Sequence, residues 1–224
     1  MQALFAPRSM RWRSMRNLRR SGRNHFVAGS ISFRSQSEWP LKLTFESMPT
    51  YIAFLRAINV TGRFLKMSAL AEAFQSLGHA DARTHINSGN VIFSASKSTA
   101  KTLQNSLELQ LEPLIGFRSE VFLRSVDEVK AISALADGMK GRVSDEGDIN
   151  VCFLQAPLSA AQRAELDKLK TDVDDFELGE REVYWLCQTR QSSSKFSNAV
   201  LERKLKARST LRRASMLSGL VAGL

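Results

Sequence analysis

From residue 51 onward, the apolar and polar positions switch repeatedly between the period of a strand and that of a helix. Tyr51–Ile58 (YIAFLRAI) is apolar on both faces except at Arg56, the pattern of a strand covered on two sides. Between Lys66 and Leu77, the residues Met67, Leu70, Ala71, Phe74 and Leu77 recur at helical spacing, and Gly78 is placed to end that helix. Thr84–Ile86 and Val91–Phe93 read as short β segments joined through the tight turn Asn87-Ser88-Gly89-Asn90. Thr99–Ile115 sets Leu103, Leu107, Leu111, Leu114 and Ile115 on one helical face, Gly116 ends it, and Arg118–Arg124 alternates as a strand. The order is βαββαβ, the ferredoxin-like arrangement, which puts both helices on one face of an antiparallel sheet.

The order then begins again. Ser125–Leu135 reads as a short connecting helix, and 137–148 as a polar, glycine-bearing linker. Asn150–Gln155 is a strand, Ser159 is a good N-cap for a helix to Thr171, and Phe176–Leu178 with Val183–Cys187 forms a hairpin around Gly179-Glu180. Ser197–Lys206 reads as a helix, and Ser209–Leu224 as a last one with Leu217, Leu220, Val221 and Leu224 as its stripe. The pattern therefore predicts an α+β fold of two tandem ferredoxin-like units with antiparallel sheets, over 48–136 and 149–224, with a C-terminal helix in the second.

Charge changes the picture mainly at the start of the chain. The formal net charge of +10 invites a nucleic-acid reading, but residues 1–47 carry +7 of it, in nine basic and two acidic side chains. The remaining +3 gives little pull on a polyanion, where each neutralised phosphate needs its own Lys or Arg. The extension is Arg-rich and acid-poor, and its apolar stripe is thin. It is expected to be disordered, and either translated sequence upstream of a true start at Met48 or a targeting segment. Only Cys152 and Cys187 are present, a spacing that fits neither a metal knuckle nor a redox pair. With no apolar run of membrane-spanning length, the expected compartment is a reducing cytoplasm.

Several motifs in order then become recognisable. Tyr51-Ile52-Ala53-Phe54-Leu55-Arg56-Ala57-Ile58-Asn59-Val60, Lys66-Met67, Ser88-Gly89-Asn90-Val91, Glu182-Val183-Tyr184 and Ser194-Lys195-Phe196-Ser197-Asn198-Ala199 with Leu201-Glu202 resemble the domain-of-unknown-function 1697 family, over Met48 to about Arg213. The resemblance implies a pair of ferredoxin-like units and no established activity. Ala57 and Thr61 stand where the family has glycines. Ser209-Thr210-Leu211-Arg212-Arg213-Ala214 stands where it commonly has Thr-Arg-Asn-Trp.

The candidate chemistry centres on Arg56, a charge inside an apolar strand that must find partners. It reads either as an anion ligand with Asn59, Ser88, Asn90 and the N-terminus of the Lys66 helix, or as a structural residue bonded to loop carbonyls while Asn59 holds its own turn. Lys195 and Asn198 read either as groups at a cleft between the units or as solvated neighbours of a capping serine. No metal ligand set, cofactor fingerprint, nucleophile elbow or triad is legible. Tyr51, Phe54 and Phe93 could stack bases on an open sheet, but fit a core better. The leading expectation is a binding protein for an anionic small ligand or nucleic-acid segment between the two units. The alternatives are a metal-independent enzyme on a phosphorylated or carboxylated substrate, with Lys195 as electrophilic stabiliser, and a protein-protein interaction module.

Overall fold

In the computed structural model the chain divides into two units, Met1–Thr44 and Phe45–Leu224. The structure describes residues 48–60, 64–86, 89–96 and 99–224, all in the second unit. The expectations for 1–47, and for Ser88, lie outside the described residues.

The first half runs β1 (Thr50–Leu55), α1 (Met67–Ser76), β2 (Arg83–Thr84), β3 (Asn90–Ser94), α2 (Ala100–Ile115), β4 (Val121–Ser125) and α3 (Val126–Gly138). The second runs β5 (Asp148–Leu154), α4 (Ala160–Asp167), β6 (Asp174–Leu178), β7 (Glu182–Cys187), α5 (Asn198–Leu205), β8 (Ser209–Arg213) and α6 (Ala214–Ala222). Local chemistry fixes many of these bounds. Thr99 Oγ1 accepts from the Thr102 N–H to start α2, and Gly116 ends it at φ 83°, a left-handed value that costs glycine nothing. Ser125 and Glu128 form a reciprocal capping box at the start of α3, and Ser159 and Gln162 form another on α4.

Each half has a four-stranded antiparallel sheet, in order β2-β3-β1-β4 and β6-β7-β5-β8. Strand side chains alternate between two faces. Ala53 and Leu55 of β1 meet Leu70 and Phe74 of α1 and Leu107 and Leu111 of α2. Cys152 and Leu154 of β5 meet Leu166 of α4 and Leu201 and Leu205 of α5. The opposite faces pack on each other. Ile52, Phe54, Ile92 and Phe122 share one core with Val151, Phe153, Tyr184 and Leu186, closed by α3 and α6. Phe54 stacks on Phe153 at 4.2 Å between ring centroids, an arrangement worth about 0.5–1.5 kcal/mol beyond the area it buries.

Two expectations need correction. Ser209–Arg213 is the strand β8, paired with β5, and only Ala214–Ala222 is helical. A five-residue strand running straight into a helix keeps an apolar stripe without punctuation, so periodicity merged the two. The segment 137–148 also begins inside α3, and its middle is tied down. Arg142 donates to Glu177 at 2.9 Å and Asp175 at 3.2 Å, and Gln188 Nε2 donates to the Arg142 carbonyl at 2.9 Å. The face-to-face packing occupies the Phe54 side of the first sheet, while Phe93 packs on Phe74 and His79 within the first half. The faces on which bases could have stacked are therefore interior.

Candidate functional site

Arg56 follows β1 and sends its guanidinium across to the second half. Nε and Nη2 donate to the two carboxylate oxygens of Glu202 on α5 at 2.9 and 2.8 Å, and Nη1 reaches Glu120 at 3.4 Å. The Glu202 hydrogen bond is the largest cause raising the Arg56 pKa above its ordinary value, and burial opposes it. The partners of the Arg56 side chain are thus carboxylates and not the loop carbonyls expected of a structural residue. Asn59 likewise holds its own loop, its Oδ1 accepting from the Leu65 N–H at 2.8 Å.

Asn90 opens β3 and is fully buried. Its Oδ1 accepts from Nε of Arg212 at 2.6 Å, and its Nδ2 donates to the His85 carbonyl at 3.2 Å. Asn198 opens α5 and exchanges bonds with Ser209, donating to its carbonyl at 3.3 Å and accepting from its hydroxyl at 2.8 Å. Lys195 is exposed and is not among the residues lining the cleft described below. Its neighbours explain the motif around it. Ser194 donates to the buried Asp174, Phe196 packs against Trp185 and Phe176, and Ser197 caps α5.

A cleft of about 440 Å³ opens between the loop after β1 and strand β8. Arg56, Asn59 and Asn198 line it, with Leu55, Ile58, Val60, Thr210, Leu211 and Arg212 in the remaining wall. Ala57 and Asn59 both have φ of 57°, while Ile58 between them does not have positive φ. Alternation of handedness along a turn is the backbone pattern from which anion-binding concavities of successive N–H groups are built. It also gives the Ala57 position a reason to be glycine in the family it resembles, since a side chain there costs about 1–2 kcal/mol. Gly89, at φ 67°, completes the support: a Cβ there would lie 2.8 Å from Cγ1 of Ile58.

Arg212 and Thr210 are the cleft residues that sequence reasoning missed. Arg212 donates to Asn90, to the Thr210 hydroxyl at 2.8 Å, and to the Leu211 and Leu55 carbonyls at 2.8 and 2.9 Å, with its guanidinium 5.7 Å from the Phe54 ring centre. Burial pushes its pKa down to about 10, so it stays charged at neutral pH. The Thr210 hydroxyl accepts from Arg212 and keeps its own proton for another acceptor.

A twin of this arrangement lies on the other half. Arg124, fourth in β4 as Arg212 is fourth in β8, donates to the Leu123 and Leu154 carbonyls at 2.8 and 3.0 Å and lies 5.4 Å from the Phe153 ring centre. At the place of Asn90 stands Glu182, first in β7, accepting from Arg124 Nε at 2.6 Å. Burial is the largest influence on the Arg124 pKa and lowers it, opposed by Glu182. The outer shell repeats as well. Glu108 takes the Val121 N–H and the Gln155 amide, as Glu202 takes the Ser209 N–H and Arg56. The signal in the sequence was the repeated pair Leu123-Arg124 and Leu211-Arg212, each just before a helix.

Both cysteines are free and buried, and burial pushes the Cys152 thiol well above its ordinary range. Among the described residues, no group of His, Cys, Asp and Glu is placed to hold a metal ion. No helix among them is long and apolar enough to cross a membrane.

Among solved structures, the chain is similar to the conserved bacterial protein SP0830 from Streptococcus pneumoniae, with 23% identity and a TM-score of 0.63. The likeness covers 80% of this chain and 99% of that one, and concerns the fold alone. No curated protein matches. Residues 48–184 match the family described as "Protein of unknown function (DUF1697)". That match starts at Met48 and takes in β1 with its loop, the β2–β3 hairpin and the Arg124–Glu182 pair; this chain belongs to that family.

Proposed function

We propose that this protein binds a small anionic ligand in the cleft between Arg56–Val60 and Ser209–Arg212. The observation that carries the reading is the alternating backbone at Ala57–Asn59, which costs energy in a chain without glycine there and lines a cleft beside a charged guanidinium. Strain of this kind concentrates at ligand sites. The Thr210 hydroxyl and the Asn59 Nδ2 supply side-chain donors, and Arg212 supplies a fixed positive field. Arg56 acts as a strut: its bidentate bond to Glu202 holds the loop against α5.

The test is calorimetric titration and thermal shift of the full chain with inorganic phosphate, simple carboxylates, nucleotides and short RNA. A ligand of the folded state raises apparent stability by mass action. Val60 lines the cleft mouth and is 48% exposed, so Val60→Glu adds a negative charge without disturbing the core. Small anions should bind and Val60→Glu should weaken them about tenfold, the effect of about 1.4 kcal/mol of repulsion. Equal binding by wild type and Val60→Glu would place any anion site elsewhere.

A further inference from the structure

A buried amide on the second sheet is not among the residues lining the cleft and plays no part in the anion-binding reading above. We infer that this residue, Asn150 on β5, is the ligand of one internal water molecule sealed beneath the helical layer of the second half.

Unmet hydrogen bonding is the first ground. Asn150 is 0% exposed, and neither its Oδ1 nor its Nδ2 bonds a protein group. An amide carries two donors and two acceptor lone pairs, and leaving them unpaired away from solvent is strongly unfavourable. Side chains alternate along a strand, so Asn150 shares a face with Cys152 and Leu154, which pack on α4 and α5. Its cross-strand neighbours are committed elsewhere. Trp185, directly across on β7, donates its indole N–H to Asp174 at 2.7 Å, and Ser194 donates to the same carboxylate. Arg213, across on β8, reaches Asp148 at 3.5 Å. The buried Tyr184 hydroxyl also has no protein partner, but Tyr184 pairs with Val151 and lies on the opposite face.

Space is the second ground. Arg124 and Arg212 donate to the Leu154 and Leu55 carbonyls, which sets the two halves in register. Four residues before each leucine, Asn150 stands where the first half has Tyr51. Tyr51 faces Phe93 across the sheet, as Asn150 faces Trp185. Exchanging a phenol for an amide frees more volume than the step from Phe93 to Trp185 takes back, and a water takes up only about 30 Å³. The chemistry of the amide then selects the occupant. A bare cation would answer Oδ1 alone and an anion Nδ2 alone, each at the cost of burying its charge. Water gives and accepts together, fits the space and adds no charge.

The experiment is nuclear magnetic resonance of the full chain. Water should show a cross-peak to the Asn150 Nδ2 protons with opposite signs in the laboratory and rotating frames, the mark of a water held longer than molecular tumbling. Proton exchange with bulk solvent gives the same sign in both. Asn150→Leu, close in shape and without polar side-chain atoms, should lower the oxygen-17 relaxation dispersion amplitude by the contribution of one long-lived water. Absence of the sign-reversing cross-peak from the wild type would overturn the inference whether or not the variant folds. Equal dispersion amplitudes in wild type and Asn150→Leu would overturn it as well.

Discussion

The two halves hold the same clamp and fill it differently. On one side Arg124 meets Glu182, and the loop after β5 reads Gln155-Ala156-Pro157-Leu158 without positive φ. On the other Arg212 meets Asn90, and the loop after β1 is twisted at Ala57 and Asn59 beside an open cleft. Phe122 stands at the strand position that Thr210 occupies in β8. One clamp is closed as a buried ion pair. The other uses an amide and a hydroxyl, and it is the side where backbone strain and polar donors collect. The contrast shows that a duplicated framework can keep its geometry while the groups that fill each clamp differ.

The largest effect should come from removing the closed clamp. Arg124→Met leaves the Glu182 carboxylate buried without its partner and should cost about 3–5 kcal/mol, read from the denaturant midpoint. The double change Arg124→Met with Glu182→Met should recover most of that loss, because an apolar pair carries no desolvation penalty. Arg212→Met should cost less, about 1–3 kcal/mol, since it strands neutral acceptors such as the Leu55 carbonyl. If Arg212→Met proved the costlier of the two, the distinction between the clamps would be wrong.

Smaller changes sharpen the comparison. Ala57→Gly relieves a left-handed alanine and should raise stability by about 1 kcal/mol, whereas glycine at the twin position Ala156 should lower it by a similar amount. Arg213→Ser should be the mildest. It would give α6 the side-chain cap that Ser125 gives α3 and that Arg213 does not, adding about 0.5–1 kcal/mol on thermal unfolding.

The elements were largely legible because helices and strands announce themselves over short spans. The spacing of Leu70 and Phe74, the turn before Asn90 and the cap at Ser159 all act within one or two turns of chain. β8 was not legible, because Arg213 leaves no stop signal between the strand and α6. The site was half legible. Asn59, Asn198 and Arg56 do line one cleft, but Arg56 finds Glu202 at a separation of 146 residues, which no local pattern reveals. Arg212 finds Leu55 at a separation of 157, and its importance depends on that contact. Lys195 was drawn in by the company of Ser194 and Asn198, whose bonds turn out to be internal.

The stack of Phe54 on Phe153 bears on how the molecule assembles. Either half alone would offer Ile52, Phe54, Ile92 and Phe122, or their counterparts, to water, and its best cover would be a second copy of itself. Joining the two in one chain replaces a bimolecular association with an intramolecular one, at an effective concentration in the millimolar range. The fold then persists at dilutions where a pair of separate subunits would part. It also escapes a rule that binds any homodimer, in which both clamps must be identical. A single chain can answer one arginine with a carboxylate and the other with an amide.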